Sequence, residues 1–224
     1  MTLKTSKIVE LFGLPRTGKT SVVGGLSKYL KDMGYPTKVI NERAGVCPVK
    51  DKLHPFFNLW TAMALLKEYI EACEQGHSIV IADRGLLDAF IWIESFRGHP
   101  EHPMADEIVA TCTKSVLLKQ NMLCGYYMFA DITVVLEREQ RELIRPRIGR
   151  VLNELTLENY CTAYKRVKDE IGLPIVELDT TTMTIADSLD LIVSDLDERL
   201  SISTKNEKVN AQPEHALDVL LTRR

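Results

Sequence analysis

The chain has 224 residues, a formal net charge of −3, 45% hydrophobic and 26% charged residues. That length suits one domain with a small lid, and a balanced charge without a block of one sign argues against a general nucleic-acid-binding surface. Five cysteines with no C-x-x-C pair, no apolar run of about 18 residues and no apolar N-terminal leader argue against a disulfide framework, a zinc site, a membrane span or a secreted protein, and point to the cytoplasm.

In chain order, Lys7 to Phe12 (KIVELF) reads as a buried strand entering a glycine-rich turn. Val22, Val23, Leu26, Tyr29, Leu30 and Met33 then repeat at the spacing of one helix face, and Gly34 with Pro36 stops that helix. Thr37 to Asn41 is a second strand, Pro55 to Glu74 a helix with proline in its first turn, and Ser78 to Ala82 a third strand ending at Asp83. Leu86 to Phe96 reads as a helix, the GHPEHP stretch as a surface loop, and about Asp106 to Tyr127 as a long helix. Asp131 to Leu136 (DITVVL) is the predicted fourth strand, Leu157 to Ile171 a helix, Pro174 to Leu178 the fifth strand and Ile185 to Leu200 the last helix. From Ser201 the chain turns polar and reads as a linker, with Ala216 to Leu221 as one further helical turn. Strands alternating with helices predict an α/β fold, a parallel sheet of about five strands with helices on both faces. Ligands of such sheets bind at the carboxyl ends of the strands, where the glycine turn, Glu42, Asp83 and the Arg-rich segment all fall.

Gly13 to Thr20 (GLPRTGKT) fits G-x-x-x-x-G-K-[ST] between a predicted strand and a predicted helix. Glycines let the backbone curl so that successive N–H groups point inward, and the helix adds its free N–H groups and dipole. Gly13, Pro15, Arg16, Thr17, Gly18, Lys19, Thr20 and Ser21 are therefore the expected nucleotide-binding set for ATP or GTP. Lys19 is placed to reach the β- and γ-phosphates, and Thr20 to offer a hydroxyl to Mg²⁺. Arg16 would sit beside the transferred group and stabilise its developing charge.

Asp83 and Arg84 follow the third strand. Asp83 is a candidate for a Mg²⁺-bound water or for the acceptor, and Arg84 a candidate clamp on an acceptor phosphate or hydroxyl. Glu42 is a candidate base for an acceptor hydroxyl and Arg43 an anion-binding group, with a surface ion pair as the plainer alternative. Arg145, Arg147 and Arg150 are expected in an arginine flap over the triphosphate, whereas Arg138, among Glu137, Glu139 and Glu142, reads as a solvated helix end. Phe56, Phe57, Trp60 and Met63 are either core or one wall of an acceptor pocket. His99 and His102 are too few for a structural zinc.

FGLPRTGKTS, ADRGLLDAF with Asp83, Arg84 and Asp88, and ADITVVLE with its Arg-rich sequel resemble the thymidylate kinase and deoxynucleoside kinase group over about residues 6 to 200. The resemblance implies a three-layer P-loop NTPase fold over residues 1–200, a lid at about 138–152, and a polar tail at 201–224. It implies a γ-phosphoryl transfer from ATP, with Mg²⁺, to a nucleoside or nucleoside monophosphate, and Glu42 falls where deoxynucleoside kinases place their catalytic Glu. Pro15 stands where thymidylate kinases usually carry an acidic residue that engages the acceptor sugar. Arg43 stands where deoxynucleoside kinases usually carry proline, and Gly85 where they usually carry serine. A non-nucleotide acceptor, or a nucleotide-binding regulatory module with weak hydrolysis, remain the alternatives. No membrane or nucleic-acid partner is expected, and a homodimer through Ala105 to Tyr127 is a candidate assembly.

Overall fold

A computed structural model describes residues 6–102, 121–141 and 153–210 of the chain. Five strands, β1 (Lys7–Gly13), β2 (Thr37–Ile40), β3 (Ile79–Asp83), β4 (Met122–Phe129) and β5 (Ile175–Asp179), form one sheet in the order β2-β3-β1-β4-β5. All four pairings are parallel. The helices are α1 (Lys19–Asp32), α2 (Pro55–Glu74), α3 (Leu86–Glu94), α4 (Ile132–Arg141), α5 (Glu154–Ile171) and α6 (Ile185–Asn210), with a short 3₁₀ turn at Ala44–Val46.

Each strand of a parallel sheet is covered on both sides, so its residues alternate between two buried faces. Ile8, Phe12, Val80, Ala82 and Tyr127 share a core with Leu65 and Tyr69 of α2, Leu87 and Phe90 of α3, and Tyr160 and Val167 of α5. On that same face of β1, between Ile8 and Phe12, stands Glu10, fully buried. α1 packs against β1, β2 and β3, and Val22, Val23, Leu26 and Leu30 are its buried stripe.

The fourth strand is not the predicted one. Residues 122–129 (MLCGYYMF) form β4, and Ile132 to Arg141, expected to begin as a strand, is helix α4. The predicted long helix at about 106–127 therefore gives way to strand from Met122, and its residues 106–120 lie outside the described residues. β4 sits between β1 and β5, so its part of the expected dimer helix is enclosed in the sheet. α6 runs to Asn210, so the polar stretch from Ser201, read as a linker, continues the helix for ten residues. Ala216 to Leu221 lies outside the described residues.

The chain divides into two compact units, Met1–Leu189 and Asp190–Arg224. The first carries the whole sheet. In the second, Ile192, Leu196 and Leu200 are buried at four-residue spacing along α6. No helix among the described residues is long and apolar enough to cross a membrane.

Candidate active site

The turn from β1 into α1 is built from three positive-φ residues, Gly13 (117°), Arg16 (60°) and Gly18 (87°). A Cβ on Gly13 would drive into the Met128 carbonyl, the same oxygen that accepts the Leu14 N–H at 3.0 Å. Only glycine fits there. Gly18 is the N-cap of α1 and supplies no side-chain cap, so the first N–H groups of α1 stay available to an anion. Lys19 folds into the loop: its Nζ donates to the Leu14 carbonyl and, at 2.9 Å, to Thr17 Oγ1. Burial holds the Lys19 pKa well below the usual lysine range; Arg84 adds to this, and Asp88, Asp83 and Glu42 oppose it.

β3 ends at Asp83, whose Oδ2 accepts the Thr20 hydroxyl at 2.6 Å. A hydroxyl and a carboxylate at the mouth of a phosphate cradle are the hard oxygen donors that suit Mg²⁺. Among the described residues no cluster of three His, Cys, Asp or Glu could hold a metal by itself. A Mg²⁺ at Thr20 and Asp83 would thus be completed by phosphate oxygens and water, its common arrangement.

Arg84 follows in the left-handed region (φ 58°), its N–H bound to the Leu11 carbonyl at 2.9 Å. Its Nη1 donates to both Asp88 oxygens, at 3.2 and 3.0 Å, and its Nε lies 3.6 Å from Glu42 Oε2. Asp88 Oδ1 also accepts the Tyr160 hydroxyl at 2.6 Å and the Gly13 N–H at 3.2 Å. One carboxylate therefore ties the phosphate loop, Arg84 and α5 together. Burial alone would lower the Arg84 pKa; Asp88 and Glu42 outweigh it and hold the guanidinium above its ordinary value. Burial and the Asp88 charge push the Tyr160 hydroxyl well up, so it stays a donor. Arg43 points elsewhere: it pairs with Glu68 on α2 and does not line the cleft.

α4 closes the other side of the loop. Arg16 Nε meets Glu139 Oε2 at 2.5 Å. Arg138, expected to be solvated, instead donates to the Arg16 carbonyl at 3.2 Å and to the Thr180 and Thr181 carbonyls at 2.7 and 3.1 Å. It bolts the tip of the phosphate loop to the end of β5. Among the described residues, Arg141 makes an exposed pairing with Glu137. Arg145, Arg147 and Arg150 lie outside the described residues.

These groups open into one cleft of about 1020 Å³. Pro15 to Ser21 line it, as do Arg138, Thr184 and Ser188. Glu42, Arg84, Phe57, Leu65, Trp92 and Phe96 line it as well. Of the expected aromatic stripe only Phe57 reaches the cleft; Phe56 and Met63 are 57% and 49% exposed. Trp92 and Phe96 are cleft residues that the sequence reading misses. Their signal is their spacing, since Arg84, Asp88, Trp92 and Phe96 recur every four residues and all four line the cleft. Trp92 is held by the Tyr160 ring, 4.7 Å away between centroids. His102 is not on the surface as expected: it is buried, with its ring stacked 4.3 Å from Phe96.

No protein-family model matches the chain, and no curated protein sequence matches it. Solved structures do. A deoxyadenosine kinase from M. mycoides with products dCMP and dCDP bound matches with a TM-score of 0.64 at 18% identity, covering 85% of this chain and 99% of that one. The same enzyme with bound dATP gives a TM-score of 0.62 at 18% identity, with the same coverage. Thymidylate kinase from Candida albicans gives 0.62 at 14% identity, covering 87% of this chain and 92% of that one. The fold is that of the P-loop nucleoside and nucleotide kinases.

Proposed function

We propose that the chain is a P-loop kinase that moves the γ-phosphoryl group of ATP to a nucleoside or nucleoside monophosphate. The observation that carries this is one cleft lined by two chemically different sets of groups, the loop residues Lys19 and Thr20 and a carboxylate–guanidinium pair, Glu42 and Arg84, together with the aromatic residues Phe57, Trp92 and Phe96. The nucleotide complexes of the M. mycoides enzyme, on the same fold, support a nucleotide-type acceptor.

In this reading the loop N–H groups, Lys19 and the open end of α1 hold the β- and γ-phosphates. A Mg²⁺ at Thr20 and Asp83 would supply charge neutralisation between the phosphates. Arg16, held by Glu139, stands at the loop tip where charge develops during transfer. Glu42 accepts the proton of the acceptor hydroxyl, and Arg84, fixed by Asp88, orients that acceptor. Phe57, Trp92 and Phe96 offer flat apolar surface to a base. Arg145, Arg147 and Arg150 belong to a lid at about 138–152, and 201–224 is a tail outside the catalytic domain of residues 1–200.

The test is a panel of nucleosides and nucleoside monophosphates incubated with the protein, Mg²⁺ and γ-labelled ATP, and then GTP. The expected result is label in a nucleotide product. Label released only as inorganic phosphate, or found only on a non-nucleotide acceptor, would overturn the proposal. Glu42→Gln is expected to lower kcat by about 100-fold while leaving the KM for ATP within a factor of two or so.

A further inference from the structure

α3 begins without a local cap. Its N-cap residue is Gly85, which makes no side-chain cap bond, although a helix of this kind leaves its first N–H groups in need of partners. The N–H groups of Leu87 and Asp88 are nevertheless satisfied. They donate to Glu10 of β1, to Oε2 at 3.1 Å and to Oε1 at 2.9 Å. Those are the second and third helical positions, the ones that a serine or aspartate at the N-cap would serve. The place of such a side chain is also taken. A Cβ on Gly85 would lie 2.6 Å from the Glu10 carboxylate and inside contact distance of the Tyr69 hydroxyl. Tyr69 in turn donates to Glu10 Oε2 at 3.4 Å.

We propose that Glu10 is a positioning residue that caps α3 from the neighbouring strand, in place of a side chain at position 85, and so fixes Asp88 and through it Arg84 and the phosphate loop. The chain of contacts is continuous. Glu10 holds the Asp88 N–H, and the Asp88 carboxylate holds Arg84 Nη1, the Tyr160 hydroxyl and the Gly13 N–H. A shift in the first turn of α3 therefore moves the acceptor clamp and the first residue of the cradle together. A side chain at 85 and the Glu10–Tyr69 pair exclude each other, because they would occupy the same space. The catalytic consequence rests on the phosphotransferase reading; the cap itself does not.

The experiment is a substitution cycle over Glu10, Tyr69 and Gly85, read by thermal stability and by steady-state kinetics below the melting transition. Gly85→Ser alone is expected to lower both stability and kcat, because the serine collides with the Glu10–Tyr69 pair. In the Glu10→Ala/Tyr69→Phe background the same Gly85→Ser is expected to raise both, because the serine then caps α3 locally. Glu10→Ala is expected to lower kcat by about 100-fold with the KM for ATP nearly unchanged. Should that variant fail to fold, the isosteric Glu10→Gln, which keeps one acceptor oxygen, is read at pH 9, where the Glu10 carboxyl is ionised and both its oxygens accept, and is there expected to lower kcat by about tenfold.

A reversal of sign for Gly85→Ser between the two backgrounds supports the proposal. A serine at 85 tolerated beside Glu10, no recovery in its absence, or wild-type kcat in Glu10→Gln at pH 9 would each overturn it. If wild type phosphorylates no acceptor, the kinase reading fails on its own, and the cap is still decided by the sign of the stability change.

Discussion

Asp88 and Arg84 face each other across the start of α3, with Arg84 Nη1 bonded to both carboxylate oxygens and the two side chains only 6% and 12% exposed. Breaking a buried pair from one side strands the other charge, which costs about 3–5 kcal/mol. Asp88→Asn is therefore expected to destabilise the fold by about that amount in urea titrations. It should also lower kcat/KM by about 100-fold or more, because Arg84 loses its counter-charge and must share the one remaining acceptor oxygen with Gly13 and Tyr160. An Asp88→Asn protein with unchanged urea midpoint and unchanged kcat/KM would show that the carboxylate organises nothing.

Two glycines should respond oppositely to alanine. At Gly13, φ is 117° and an added Cβ meets the Met128 carbonyl, so Gly13→Ala is expected to cost about 3 kcal/mol or more. At Gly24, inside α1 and exposed, an added Cβ meets nothing within 4 Å, and Gly24→Ala is expected to stabilise by about 0.5–1 kcal/mol. Melting temperatures of the pair check both signs.

Arg138→Ala should loosen the tip of the phosphate loop from β5. The expected outcome is a loss of about 2 kcal/mol and a KM for ATP raised by about tenfold. Arg141→Ala, which gives up an exposed pairing with Glu137, should cost less than about 0.5 kcal/mol. Equal effects of the two substitutions would place the anchor elsewhere.

The buried Glu10 predicts a pH dependence of stability. Burial pushes its carboxyl up from 4.5 to about 8, against the N–H groups of Asp88 and Leu87, which favour the ionised form. Because the folded-state pKa is raised, its stabilising contribution is complete below about 4.5 and is lost as pH rises towards 8. Every tenfold difference in proton affinity between the folded and unfolded chain is worth about 1.4 kcal/mol. Wild type should lose more stability between pH 5 and 8 than Glu10→Gln, with urea midpoints as the readout. Parallel curves for the two proteins would contradict the raised pKa.

Most of the fold is legible because its signals are local. The spacing of Val22, Val23, Leu26 and Leu30 and the stops at Gly34 and Pro36 place α1 and β2 directly. β4 escapes because MLCGYYMF is buried on both faces and has no alternation to mark it as a strand. Its Gly125, ordinarily a strand breaker, is there because a Cβ would lie 2.9 Å from the Phe12 ring. The Ile132–Val135 run looks like strand by composition. It folds as α4 because Val135 and Glu139, one helical turn apart, are the positions it buries.

The glycine loop of the site is legible from its motif, whereas the groups that hold it together are not. Glu10 is hidden in an apolar strand, and Arg138 among glutamates. Their partners, the N–H groups of α3 and the carbonyls of Arg16, Thr180 and Thr181, are backbone atoms brought close only by the sheet. No sequence spacing records such contacts.

The central claim is transfer of a phosphoryl group from a cradle centred on Lys19. The most direct test compares wild type with Lys19→Ala for movement of label from γ-labelled ATP to the best nucleoside or nucleoside monophosphate acceptor, with the fold of both proteins verified by melting curves. Wild type is expected to give a labelled nucleotide and the folded variant essentially none, a loss of about 1000-fold or more. Normal turnover by folded Lys19→Ala would contradict it.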